Sequence, residues 1–178
     1  MALNDACTLM ATGRHGISSP ETHWLLTQYL YAEAELLDTH AWTAWGKLFA
    51  PNGVYWVPAM RGQTDAINQV SLVHDDALLR EIRLSRLAER DATSPKEAPA
   101  SSHSISNVVI TAADDSVGAY TVRSRFTVAQ QASWGLSTFH GSYIHELRRD
   151  SEGALKIGLK RVDLINVDMP LGDILTIL

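Results

Sequence analysis

The stretch LKIGLKRVDL, residues 155–164, alternates apolar and polar residues and then changes phase. Leu155, Ile157 and Leu159 share one parity, whereas Val162 and Leu164 share the other. Successive side chains on a strand point to opposite faces, so a change of parity requires an extra residue in the ladder. Such a bulge bends its strand. The stretch therefore predicts a strand over roughly 154–167 in a sheet curved enough to have a concave side.

Three further strand candidates precede it, roughly 103–112, 117–129 and 136–149. The turn signals DDSVG, QASWG and DSEG separate them. Connections this short make the neighbouring strands antiparallel. Upstream, ERDATSPKEAPASS at 89–102 is a polar loop, and it divides a strand-rich second half from a helical first half.

The first helix opens at SSPE, with Ser18 or Ser19 as N-cap, Pro20 in the first turn and Glu21 at the positive end. Leu25, Leu26, Tyr29, Leu30, Ala34, Leu36 and Leu37 form its buried stripe, with Glu33 on or beside that face. A second helix carries Trp42, Trp45, Leu48 and Phe49 until PNG at 51–53 breaks it, and VYWVP at 54–58 is a strand. Ser71 to Val73 is a short strand. A third helix follows, capped by Asp75 or Asp76, with Leu78, Leu79, Ile82 and Leu87 on one arc and Arg83 and Arg86 inside or beside it. The tail PLGDILTIL is too apolar to hang free. Residues 1–17 read as a flexible arm and 18–178 as one domain. The expected fold is α+β: N-terminal helices packed in the concave face of a strongly bent, mainly antiparallel sheet, a cone.

Composition narrows the function. The chain has 178 residues, 46% apolar and 20% charged, which suits a globular domain. Its net charge of −5 disfavours nucleic acid, which calls for a basic surface. No apolar run reaches membrane-spanning length, and Asp5 stands where a signal peptide would be basic. Cys7 is the single cysteine, so no intrachain disulfide forms and a cytoplasmic location is expected. One thiol cannot supply a cysteine zinc site or an iron–sulfur cluster.

Three groups of residues invite a chemical reading. His74, Asp75 and Asp76 stand in a row and suggest a general base or metal site. Adjacent strand residues diverge, however, and aspartate is a preferred N-cap, so a capped joint with Asp75 or Asp76 paired to Arg83 is favoured. Arg86 on the same arc also calls for a carboxylate. His103 and Asn107, four apart on a strand, share a face and are pocket candidates with Tyr55 and an aspartate. The bland alternative is a hydrogen-bonded polar layer at the cone mouth. His140 and His145 have opposite parity and cannot share a metal. No P-loop, dinucleotide fingerprint or nucleophile elbow occurs.

The order of several motifs resembles the small (beta) subunit of Rieske-type aromatic-ring-hydroxylating dioxygenases. The pieces are YAEAELLD (31–38), WTAWGKLFAPNGVYWVP (42–58), SLVHDDALLREIRLSRL (71–87) and SHSISNVVI (102–110). VRSRF (122–126), GSYIHELRR (141–149) and LKIGLKRVDLIN (155–166) continue the series. The resemblance implies a cystatin-like cone, shared with nuclear-transport-factor-type proteins. It implies a chain with no cofactor, metal or catalytic residue of its own, serving assembly. The 2Fe–2S Rieske cluster and the mononuclear non-haem iron would sit in a partner large (alpha) subunit, and NAD(P)H would supply electrons through a separate reductase. Three large and three small chains would form a hexamer, with the outer sheet face docking the large subunit. Many members carry Tyr-Asp-Asp where this chain has His74-Asp75-Asp76, and Arg where it has Ser102. SHSISN looks closer to the benzoate, anthranilate and salicylate branch. The competing expectation is a free-standing cone enzyme, an isomerase or dehydratase, with Asp76, His103 and Tyr55 converging in a pocket.

Overall fold

The computed structural model describes residues 19–94 and 98–178. The expected N-terminal arm with Cys7, the alternative cap Ser18, and Pro95 lie outside these residues. Helix α1 (Pro20–Asp38) starts at Ser19, whose hydroxyl accepts from the Thr22 amide at 3.1 Å. It buries Leu26, Leu30, Glu33, Ala34 and Leu37. Helix α2 is only Trp42–Gly46, and strand β1 (Phe49–Pro58) begins directly after it. The expected break at PNG is thus inside a strand. It is an irregularity in the β1 ladder, where the register shifts between Phe49 and Val54. A Cβ on Gly53 would stand 2.4 Å from the Ile157 carbonyl oxygen, so only glycine lets the two backbones approach so closely.

Strand β2 (Ser71–Asp75) leads into helix α3 (Ala77–Thr93). The long strands β3 (Ala100–Asp114), β4 (Ala119–Ala132), β5 (Gly135–Arg149) and β6 (Leu155–Leu164) complete one curved sheet. Its order is β2-β1-β6-β5-β4-β3. All neighbours are antiparallel except β1 and β6, which run parallel. The fold is α+β, as the element order implied.

The phase change in β6 is real, but it falls earlier than the apolar pattern placed it. Glu146 pairs with Leu159 and Leu147 with Ile157, so Gly158 is the extra residue. Beyond it Lys160, Val162 and Leu164 point inward, and Leu159 is only half-buried. A one-residue shift turned a lysine into the core. Inside the cone, Trp45 meets the rings of Phe49 and Tyr55 edge-on, and Phe126 stacks on Tyr143.

Helix α3 departs most from expectation. Its buried residues are Arg80 and Leu84, while Leu78, Leu79 and Ile82 are exposed. Three residues of the arc that looked like a core stripe thus face out of this chain, and only Leu87, half-buried, packs against the core. Arg80, rather than Arg83 or Arg86, is the arginine that enters the core. Its guanidinium lies over the Phe49 ring at 4.0 Å, and Nη1 donates to the Gly53 carbonyl at 2.7 Å.

Candidate functional site

The VHDD segment joins strand to helix, and its three polar side chains go three ways. Asp76 is the N-cap of α3 and accepts from the Leu79 amide at 2.9 Å. Asp75, opposite Tyr55 in the β1–β2 ladder, is buried. It takes a bidentate ion pair from Arg83, Nε at 2.5 Å and Nη2 at 3.1 Å. That hydrogen bond is the main reason the guanidinium holds its proton more firmly than usual. His74 stands opposite Trp56 and is half-buried. Arg86 is exposed and meets no carboxylate among the described residues, so its expected partner is not found in this fold.

Tyr55 and His103 do approach one place, the mouth of the cone, but the chain's own tail fills it. Ile177 and Leu178 are buried there. The Tyr55 hydroxyl accepts from the Leu178 amide at 3.2 Å and donates to the Leu178 carbonyl at 3.4 Å. Burial pushes that phenol well above its ordinary value. His103 Nε2 lies 3.0 Å from the Ile177 carbonyl, and Nδ1 lies 2.5 Å from Asp38 Oδ1. Burial alone would raise Asp38. The bonds from the His103 ring and amide and from the Ser101 hydroxyl outweigh it, and its carboxyl sits below the usual range. Arg90 donates to the Leu175 carbonyl, while Gln130 bonds both the Asp173 carbonyl and the Leu175 amide. A cleft of about 360 Å³ remains between Tyr55, Leu72, Arg83 and this tail.

Asn107 is not part of that group. It is exposed, with φ +51°, where the β3–β4 register shifts between Ser106 and Val109. Asparagine tolerates the left-handed region better than most residues, so a backbone role accounts for it. Asp76 is spent on its cap at the helix start. The Asp76–His103–Tyr55 convergence that proton-transfer chemistry would need is absent.

The most buried polar cluster was missed from the sequence. Glu33 Oε1 accepts from Lys160 Nζ at 2.8 Å and from Trp45 Nε1 at 3.0 Å, and Oε2 lies 2.9 Å from His145 Nε2. All three ionisable side chains are almost wholly shielded from solvent. Burial opposes the Glu33 charge. The Lys160 ammonium, and then His145, overcome that and hold the carboxyl well below the usual range. Lys160 Nζ also sits 4.7 Å from the Tyr143 ring centroid. Glu33 was visible as a charge on an apolar stripe. Lys160 was hidden by the bulge, and His145 by lacking any partner nearby in sequence.

Among the described residues, no three His, Cys, Asp or Glu side chains are grouped to hold a metal ion. The Glu33 carboxylate already faces an ammonium, and Asp75 a guanidinium, so neither is available as a ligand. A Rieske centre takes two cysteines and two histidines, and this chain has one cysteine. Its residues do not fit the cluster. No described helix is long and apolar enough to cross a membrane.

A family model described as "Ring hydroxylating beta subunit" matches residues 32–170. The 2-halobenzoate 1,2-dioxygenase small subunit of Burkholderia cepacia is 32% identical over 101 residues, covering 53% of this chain and 61% of that one. The anthranilate 1,2-dioxygenase small subunit of Acinetobacter baylyi is 26% identical over 153 residues, covering 83% and 92%. In three dimensions, the beta subunit of benzoate 1,2-dioxygenase from Burkholderia mallei superposes with a TM-score of 0.68 at 27% identity, covering 82% and 92%.

Proposed function

The chain belongs to the ring hydroxylating beta subunit family, and from that premise we propose that it is the assembly subunit of a multicomponent aromatic-ring dioxygenase. The family match over residues 32–170 carries this reading. The interior of the cone supports it. Trp45, the Glu33–Lys160–His145 cluster and the tail ending at Leu178 fill the deep interior, leaving the cleft of about 360 Å³ beside Tyr55 at its mouth. The free-standing isomerase or dehydratase reading loses its general acid and base, because Tyr55 and His103 are both engaged by tail backbone.

The complete enzyme would act in the cytoplasm and add both atoms of O₂ to an aromatic ring. The large subunit would hold the Rieske cluster and the mononuclear iron, with electrons arriving from NAD(P)H through a reductase. Three large and three small chains are the assembly we favour. An aromatic carboxylic acid is the substrate class we favour, from the 2-halobenzoate, anthranilate and benzoate named for the relatives.

Tagged small chain, purified from cells of its own source, tests this. A larger iron-containing chain with a C-x-H…C-x-x-H motif should co-purify, and the pair with its reductase should consume O₂ on benzoate. Turnover by the small chain alone, or elution with no larger partner, would overturn the proposal.

A further inference from the structure

Among the described residues two cations, Lys160 and Arg80, are almost wholly buried, and they are served differently. Lys160 has the Glu33 carboxylate at 2.8 Å. Arg80, with 5% of its surface exposed, has no carboxylate at ion-pair distance among the described residues. Its Nη1 donates to the Gly53 carbonyl and its guanidinium lies over the Phe49 ring, but neither partner carries a charge. Asp75 and Asp76 act on it only through space, since Arg83 binds Asp75 bidentately and Asp76 caps α3. Burial outweighs their pull, so the guanidinium holds its proton less firmly than usual. A guanidinium is a fork of several N–H donors, and among the described residues the remaining ones on Arg80 meet no acceptor.

Arg80 lines a cavity of about 400 Å³ between helices α2 and α3, a size at which small-molecule sites occur. Arg80 and Leu84 stand four residues apart on one face of α3, so helical spacing sets a cation beside an apolar wall. Ser85 adds a hydroxyl from the same helix. From the other side come the Thr43 hydroxyl and Lys47, the C-cap residue of α2. Glu81 also lines the cavity and is the carboxylate of its wall.

We propose that this cavity binds a small monocarboxylic acid with a flat apolar body, of the size of benzoate. The planar guanidinium matches a carboxylate with paired N–H donors, and the acid supplies the counter-charge that Arg80 lacks within the fold. Leu84 gives the apolar body a surface to leave water against, which a bare inorganic anion cannot use. Glu81 repels a second negative charge, so a monoanion is preferred over a diacid or a phosphate dianion. Lys47, at the edge, attracts the anion without holding it in one orientation. The site needs only this chain, so it stands or falls independently of the assembly role.

Calorimetric titration of the full chain with sodium benzoate at constant ionic strength tests this, with benzyl alcohol and inorganic phosphate as comparisons. Benzoate should saturate one site, and the other two should bind about tenfold more weakly or less. Backbone amide NMR shifts should concentrate in residues 42–47 and 77–88. Arg80→Met removes the charge and keeps an apolar stem, while Ser85→Trp fills the cavity from an exposed position. Each should weaken benzoate binding about tenfold or more. Arg125→Gln, which removes an exposed cation on β4, should bind benzoate as the native chain does. Melting curves check that each variant folds, and if Arg80→Met does not, Ser85→Trp decides. The proposal is overturned by any of four results. These are no saturable benzoate binding to the native chain, undiminished binding by Ser85→Trp or a folded Arg80→Met, equal binding of benzyl alcohol or phosphate, and shifts confined to residues outside this cavity. An equal loss in Arg125→Gln would likewise overturn it, by reducing the effect to overall charge.

Discussion

Replacing Lys160 by methionine tests the buried cluster most directly. Met keeps most of the apolar stem against Trp45 and Tyr143 but deletes the ammonium. Glu33 then retains Trp45 Nε1 and His145 Nε2 as partners and loses its one permanent counter-charge, at 2.8 Å. Removing one member of a fully buried pair costs about 3–5 kcal/mol, because the remaining charge cannot reach water. Urea unfolding of the full chain at pH 7, followed by tryptophan fluorescence, should show a loss of that size. The second change, Glu33→Gln, removes the stranded charge and should recover at least half of it. The pH dependence gives an independent sign. In the native chain Glu33 lies below its unfolded value, so its stabilisation is complete above that value, about 4.3, and disappears as pH falls through the folded one. In Lys160→Met only His145 and the Trp45 N–H still oppose burial, so Glu33 titrates at higher pH than in the native chain, and the stability gap between variant and native chain should narrow as pH falls through that range. A Lys160→Met loss under about 1 kcal/mol, or no rescue by Glu33→Gln, would refute the claim that this pair is an obligate unit.

Other contacts give smaller effects. Tyr55→Phe leaves the buried Leu178 amide without its acceptor and should cost about 1–3 kcal/mol, with faster exchange of that amide. Asp76→Ala removes a cap and should cost about 1 kcal/mol in urea unfolding. Asp75→Ala releases Arg83, which is half-exposed and can turn to solvent, so its cost should stay near the 1–3 kcal/mol of a charged hydrogen bond and below that of Lys160→Met. Asp38 is also held below its usual value, so its contribution is present at neutral pH and lost on acidification. Asp38→Asn should flatten stability-versus-pH profiles below about pH 4, where an unpaired carboxyl titrates.

What the sequence revealed depended on how local the signal was. Ser19 as a cap, the turns between long strands and the aspartate at the start of α3 were legible because each involves residues within a few positions. The class of fold followed from helices preceding hairpin-linked strands. Pairings across the chain were not legible. Glu33 meets Lys160 and His145 from the other end of the sequence, and nothing in periodicity announces such a contact. The β6 bulge was visible as a change of phase, but the apolar pattern placed it two residues late. Leu159 looked like the inward residue and Lys160 like the outward one, although Gly158 had already shifted the ladder. In α3 the pattern misled for a different reason. Periodicity identifies an apolar face; it does not say whether the cover is this chain or another.

That ambiguity carries the functional argument. A cone whose mouth were open would need Tyr55, His103 and Asp38 exposed to a ligand, and would leave the tail with nowhere to bury Ile177 and Leu178. Here the same three side chains hold or brace the tail, and the deeper interior is closed by an ion cluster around Glu33. Polar groups that could have handled substrate protons are committed to fixing one rigid shape. Apolar side chains are left exposed instead on the outside, Leu78, Leu79 and Ile82 on α3 and Ile67, Val70, Trp134 and Leu136 elsewhere. Rigidity inside and an unfilled face outside are what assembly requires, since a preorganised surface binds with less entropy to lose.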